Sequence, residues 1–242
     1  MTYLTKLDLT EIKYYMKTLL VAVEHLASLG VMHRDIKPTN FLYEPSSRTG
    51  LLIDYGLSEI IVDEHQNPKN PNMKDNPEVA QIVRLQKSMK IKNRTGTKGY
   101  MPPEALFNFN LQNSAVDVWA CGVILLSLLA QRHPVFSLNN SSRVKNFTIA
   151  NLIPLTCLFG SNAIKEIAFK YGYGCLIPDE MAKERFPWSD ICKIHDPQAF
   201  DLLDKMLHLD HRHRITAEDA LKHPFFDEIR DIDQSSSDAR TQ

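Results

Sequence analysis

A chain of 242 residues with 43% hydrophobic content can bury a core, in one domain or two. With 28 basic and 29 acidic residues the net charge is −1, so electrostatics gives no case for nucleic acid or a membrane surface as a partner. No secretory leader pattern opens the chain, and its 4 cysteines are widely spaced without a C-x-x-C pair, as in reduced thiols. The most apolar run, Val118 to Ala130, is too short for a bilayer and reads as a buried helix.

Taken in order, Thr10 is the expected N-cap of a helix reaching about Leu29, because Ile12, Met16, Leu19, Val23 and Leu26 step by four and three onto one face. Gly30 ends it. Val31 to Asn40 follows as a loop, then two short strands, Phe41-Leu42-Tyr43 and Leu51-Leu52-Ile53, around a turn-rich link. From Ile61 to about Arg94 the chain turns polar and irregular, with one short helix expected over Val79 to Met89. Ser114 is the expected cap of the next helix, apolar nearly all round from Val118 to Leu129 and therefore central. A second insert-like region, Ser137 to about Cys192, carries helical patterns over Phe147 to Phe159 and Ala163 to Tyr171, the second broken at Gly172. Pro197 to Leu209 is amphipathic, with Phe200, Leu203, Met206 and Leu207 on one face. Thr216 caps a last short helix, and His223-Pro224-Phe225-Phe226 closes the fold.

Chemistry concentrates between His33 and Asn40. Phosphoryl transfer from ATP needs an oriented hydroxyl, a divalent metal on the phosphates and positive charge near the moving group. Asp35 can accept a hydrogen bond from a hydroxyl and align it. Lys37, two residues on in an extended loop, points the same way and can reach a phosphate. Asn40 and Asp54 offer the hard oxygen ligands that Mg²⁺ prefers, and the expected hairpin brings both to one metal. Pro38 stiffens the loop between these groups. Cys192 and His195 have a ligand-like spacing, but no second pair completes a zinc site.

Any one of these residues alone reads as a solvated loop position. Joined to Asp54-Tyr55-Gly56, Gly96-Thr97-Lys98-Gly99-Tyr100, Pro102-Pro103-Glu104, Asp117-Val118-Trp119 and Arg214, they resemble in order and rough spacing the signature of serine/threonine protein kinases. The resemblance covers about residues 9 to 228. Asn40-Phe41-Leu42-Tyr43 is similar to two groups, the casein kinase one family and the cell-division-cycle-seven kinases that fire replication origins. Pro103-Glu104, which the first group lacks, resembles the second, as do Gly96 to Tyr100, Ser114 to Trp119 and the helical insert around Ala163 to Gly172.

The resemblance implies ATP and Mg²⁺ as cofactors, protein substrates, a regulatory activating subunit and a nuclear location. It implies that the Thr97 hydroxyl bonds Asp35 and Lys37, that Glu104 pairs with Arg214 and that Asp117 braces the catalytic loop. Separately, the long polar segment after Asp54 has two readings: Thr95 or Ser88 is a phosphorylation site that pairs with Arg34, or the segment is an unmodified solvated insert. Tyr55 stands where kinases usually have Phe, and its hydroxyl is expected to need a partner. Such kinases also have a small β-rich lobe with a Gly-rich loop, a strand lysine and a helix glutamate, and nothing before Thr10 supplies them. The expected fold class is therefore mainly α with short β-hairpins: a kinase-like C-terminal lobe over residues 1–230 with inserts at about 61–94 and 138–192, the N-terminal β-rich lobe absent, and a disordered tail at 231–242. Two functions stay open. One is a serine/threonine kinase in cell-cycle control and replication initiation. The other is a catalytically impaired scaffold that binds substrate or activator. In both, weak ATP binding and poor phosphate transfer are expected of this chain alone.

Overall fold

The computed structural model describes residues 4–90, 96–133, 135–136, 147–174, 184–230 and 232. Thr95, Cys175, the Ser88 side chain and the serine-rich tail lie outside the described residues. The rest is mostly helical, with strands confined to two short antiparallel ribbons.

Helix α1 (Leu9–Ser28) is capped by Asp8 rather than Thr10: the Asp8 carboxylate accepts the Glu11 N–H at 2.8 Å. A carboxylate also complements the helix dipole, which favours the earlier start. The predicted face is buried, with Ile12, Met16, Leu19 and Val23 all at 1% exposure or less. The helix ends at Gly30, whose φ of 74° suits glycine. A Cβ there would also come within 2.8 Å of the Asn70 Cβ, and Asn70 Nδ2 donates to the Leu29 carbonyl at 2.9 Å. Asn70 thus closes the C-terminal end of α1.

Strand β1 (Val31–Met32) enters the loop from His33 to Asn40. A one-turn 3₁₀ segment, Pro38–Asn40, leaves it for a hairpin of β2 (Phe41–Glu44) and β3 (Thr49–Leu52). The register pairs Phe41 with Leu52 and Leu42 with Leu51. Strand β4 (Glu59–Ile60) returns to pair with β1, setting Met32 opposite Glu59 and Val31 opposite Ile60. Sequence periodicity cannot reveal two-residue strands, so this ribbon was not expected.

Helix α2 (Pro77–Lys90) comes after β4, and α3 (Pro103–Leu106) follows the segment carrying Thr97. Helix α4 (Ala115–Leu129) is the centre of the fold, buried along its whole length as its uniform apolarity predicts. Ser114 makes no capping bond; Asn113 Oδ1 accepts the Ala115 N–H at 2.9 Å instead. Helices α1 and α7 (Pro197–Met206) pack on α4. The α7 approach is close at Gly122, where a Cβ would lie 3.0 Å from the Met206 Cβ. Helices α5 (Phe147–Phe159) and α6 (Ser161–Lys170) follow, α6 starting two residues before the expected Ala163. Thr216 caps α8 (Ala217–Leu221) as expected, accepting the Asp219 N–H at 3.1 Å. Among the described residues no helix is long and apolar enough to cross a membrane.

One ion pair ties the two ends of this arrangement together. Arg214 donates to both oxygens of Glu104, at 2.6 and 3.0 Å, and both side chains are 0% exposed. The guanidinium also donates to the Ala115 and His208 carbonyls and lies 4.9 Å from the centre of the Trp119 ring. Removing one partner would leave a bare buried charge, which costs about 3–5 kcal/mol. Arg214→Ala should therefore lower unfolding free energy by about that amount in chemical denaturation, whereas a loss below about 1 kcal/mol would mean that the pair is hydrated and weak.

Candidate active site

The loop from His33 to Asn40 is held in shape by a residue far along the chain. Asp117, in the first turn of α4, accepts the His33 N–H at 2.7 Å with one oxygen and the Arg34 N–H at 2.8 Å with the other. Arg34 has a φ of 68°, an uncommon backbone state for a non-glycine residue, and these two bonds hold it there. Burial pushes the Asp117 carboxyl up to about 6, against the pull of the two N–H donors and the Arg34 charge.

His33 is the second brace. Its Nδ1 accepts the Asp35 N–H at 3.3 Å and its Nε2 contacts the Ile53 carbonyl at 3.1 Å. One ring nitrogen must accept while the other donates, which is the neutral imidazole protonated at Nε2. Burial lowers the His33 pKa and favours that form. The ring thereby ties the Asp35 backbone to the residue before Asp54.

Asp35, Lys37 and Thr97 form a closed ring. Lys37 Nζ donates to Asp35 Oδ2 at 2.6 Å and to Thr97 Oγ1 at 2.9 Å, while the Thr97 hydroxyl donates to Asp35 Oδ1 at 2.5 Å. Asn40 Nδ2 adds bonds to the Asp35 carbonyl at 2.9 Å and to Oδ2 at 3.0 Å. Burial alone would raise the Asp35 pKa, but the bonds from Lys37 and Thr97 and the Lys37 charge outweigh it and hold the carboxyl below its usual value. A carboxylate has roughly four acceptor positions. Lys37 and Asn40 occupy Oδ2 and Thr97 takes one position on Oδ1, which leaves room on Oδ1 for an incoming hydroxyl.

The hairpin delivers the remaining oxygens. Ile53 N–H donates to the Asn40 carbonyl at 2.9 Å, so Asp54 follows directly beside Asn40. Asp54 is exposed, has a φ of 66°, and its carboxylate accepts the Gly56 N–H at 3.4 Å. The Asn40 amide nitrogen is turned toward Asp35, so its oxygen is the atom suited to a cation. One carboxylate and one amide oxygen, with phosphate oxygens and water to complete the shell, fit the way Mg²⁺ is usually bound. The Tyr55 ring packs 5.1 Å from the His33 ring but stays 50% exposed, so water can serve its hydroxyl and no protein partner is required. His195 Nε2 contacts the Cys192 carbonyl at 2.9 Å, and among the described residues no group of metal-ligating side chains includes this pair.

Arg34 forms an ion pair with Glu59 on β4, and both side chains are largely buried. The candidate phosphorylation positions Thr95 and Ser88 offer no described side chain to compare with it. Sequence reasoning missed Glu59, five residues past Asp54 in a stretch with no periodic signal.

The general protein kinase domain model matches residues 2–226. The chain belongs to the protein kinase domain family. This kinase domain is 34% identical to "Probable cell division control protein 7 homolog 2" of Encephalitozoon cuniculi, over 94% of this chain and 69% of that protein. It is 29% identical to "Cell cycle serine/threonine-protein kinase hsk1" of Schizosaccharomyces pombe, over 92% of this chain and 49% of that one. Casein kinase II subunit alpha' of Saccharomyces cerevisiae is 28% identical over 90% of this chain and 57% of that protein. It is a protein serine/threonine kinase by family, and it resembles the cell-division-cycle-seven group.

Protonation of Asp117 would put a donor where the His33 and Arg34 amides need an acceptor. The backbone ¹⁵N shifts of those two residues should therefore titrate with a midpoint near pH 6; a flat response from pH 5 to 7 would contradict it. The folded pKa lies above the unfolded one, so the proton binds the folded state more tightly. This group's contribution to stability is then largest in acid and falls as pH rises through about 6.

Proposed function

We propose that the chain transfers the γ-phosphoryl group of Mg-ATP to serine or threonine hydroxyls of proteins, in cell-cycle control and the initiation of DNA replication. The observation that carries this reading is the closed ring of Asp35, Lys37 and Thr97 beside the oxygens of Asn40 and Asp54. In it, Asp35 accepts a hydrogen bond from the substrate hydroxyl and aims the oxygen at the phosphorus. A carboxylate with a lowered pKa is a weak base, so orientation comes first and the proton transfers late, as a loose transition state allows. Lys37 neutralises charge on the moving group, and Thr97 fixes both partners against the segment that receives the substrate chain. Asn40 and Asp54 would hold Mg²⁺, which draws charge from the phosphate oxygens when bound.

The likeness to proteins named for cell division control and the cell cycle supports the cell-cycle setting; a nuclear location and a regulatory activating subunit belong to the proposal through the family resemblance alone. We read the described residues as the larger lobe of a kinase, with its nucleotide-facing side beside Asn40. Leu42 and Leu51 support this: they face each other across the hairpin beside Asn40, and they are 55% and 62% exposed. An exposed apolar pair at that place suits the flat face of a purine or a second lobe. The same exposure favours the alternative, a scaffold that binds substrate or activator without turnover.

Asp35→Asn separates the two. Under the kinase reading, phosphotransfer by the polypeptide containing this chain falls by about 10²–10⁴ while its thermal midpoint stays near wild type. Equal and negligible transfer by both forms, with protein-partner binding retained, would favour the scaffold.

A further inference from the structure

The Arg34 guanidinium is the group that a phosphorylated Thr95 or Ser88, on the long segment after Asp54, would pair with. In this fold it already has an acid. The β1–β4 register sets Glu59 opposite Met32, the last residue of β1. Arg34 lies two residues past the end of that strand, and its side chain reaches Glu59 as an ion pair. The Arg34 and Glu59 side chains are 7% and 11% exposed. A pair so far out of water is held more firmly than a surface pair, and losing either partner leaves a buried charge behind.

The position of the pair gives it a second consequence. Arg34 is the residue whose N–H is bonded to Asp117 in a left-handed backbone state, and the next residue is Asp35. Glu59 fixes the side chain of Arg34 while Asp117 fixes its main chain, so the peptide leading into Asp35 is constrained from two elements, β4 and α4. A phosphate brings a charge of about −1.5 to −2 to such a site only after modification. The Glu59 carboxylate brings its charge with the sequence.

We infer that Glu59 is a positioning residue for phosphoryl transfer: through Arg34 it sets the catalytic loop, so that turnover does not depend on phosphorylation of the segment between Asp54 and Thr97. The inference rests on the kinase reading for its effect on rate, and on geometry alone for its effect on the loop.

The test uses the protein as wild type, Glu59→Gln and Glu59→Asp, each treated with a nonspecific phosphatase and checked for an unchanged thermal midpoint. Misplacing a reacting group by about 1 Å costs on the order of 10²-fold. Glu59→Gln should therefore lower kcat by about 10- to 100-fold and leave KM for nucleotide and peptide within about two-fold. Glu59→Asp, which keeps the charge, should recover most of the loss, and phosphatase should leave wild-type kcat unchanged. A wild-type kcat in Glu59→Gln, or a phosphatase-treated wild type that is silent when the untreated form is active, overturns the inference. If Glu59→Gln fails to fold, the double variant Arg34→Gln with Glu59→Gln removes both charges, and the same loss of kcat is expected. Amide hydrogen exchange at His33, Arg34 and Asp35 decides the case if untreated wild type itself shows no turnover. Faster exchange in Glu59→Gln then upholds the hold of Glu59 on the loop, whereas unchanged exchange overturns it.

Discussion

Everything at the site depends on one buried carboxylate. Asp117 is fully enclosed, carries no direct chemistry, and spends both oxygens on consecutive backbone N–H groups of the catalytic loop. A loop that reverses direction within a few residues has main-chain donors with no ladder to join, and a buried donor left unmatched is costly. Asp117 meets that need from α4, the element least able to move because it is packed on every side. The raised pKa is the sign of the compromise: burial disfavours the charge that the two donors require.

The reacting groups are built on that support in layers. His33 relays the constraint to the Ile53 carbonyl, and so to the strand end that presents Asp54. The Asn40 amide closes back on Asp35 with its nitrogen, which fixes which of its atoms can face a cation. Thr97 arrives from the other side, on a segment anchored by the Glu104–Arg214 pair. Preorganisation of this kind is what phosphoryl transfer asks of a protein, since most of its barrier yields to positioning and fixed charge.

Much of this was legible in the sequence. The spacing of Asp35, Lys37, Asn40, Asp54 and Thr97 marks a chemistry that tolerates few other residue types, and the structure brings these residues together around one loop. The α1 and α4 patterns were readable because long helices repeat their periodicity several times. Even Glu104 and Arg214, 110 residues apart, were recoverable as members of a known pattern. What failed was short-range or depended on tertiary pairing. Asp8 outcompeted Thr10 as a cap because two acceptable capping residues stood two positions apart. The β1–β4 ribbon is too short for a period, so Glu59 read as one more acid in a polar stretch and its pairing with Arg34 was invisible. Tyr55 misled differently: its hydroxyl demanded a partner only on the assumption that the ring would be buried.

The central claim is that the catalytic loop is rigid before any nucleotide arrives, because Asp117 and His33 bond its backbone from inside the fold. Amide hydrogen exchange of the nucleotide-free protein measures this most directly. The account predicts that the His33 and Arg34 amides exchange as slowly as those in the middle of α4, opening only with the whole fold. Exchange as fast as that of an unprotected backbone amide would mean that the loop is assembled by its ligands, and that the buried carboxylate of Asp117 does not govern it.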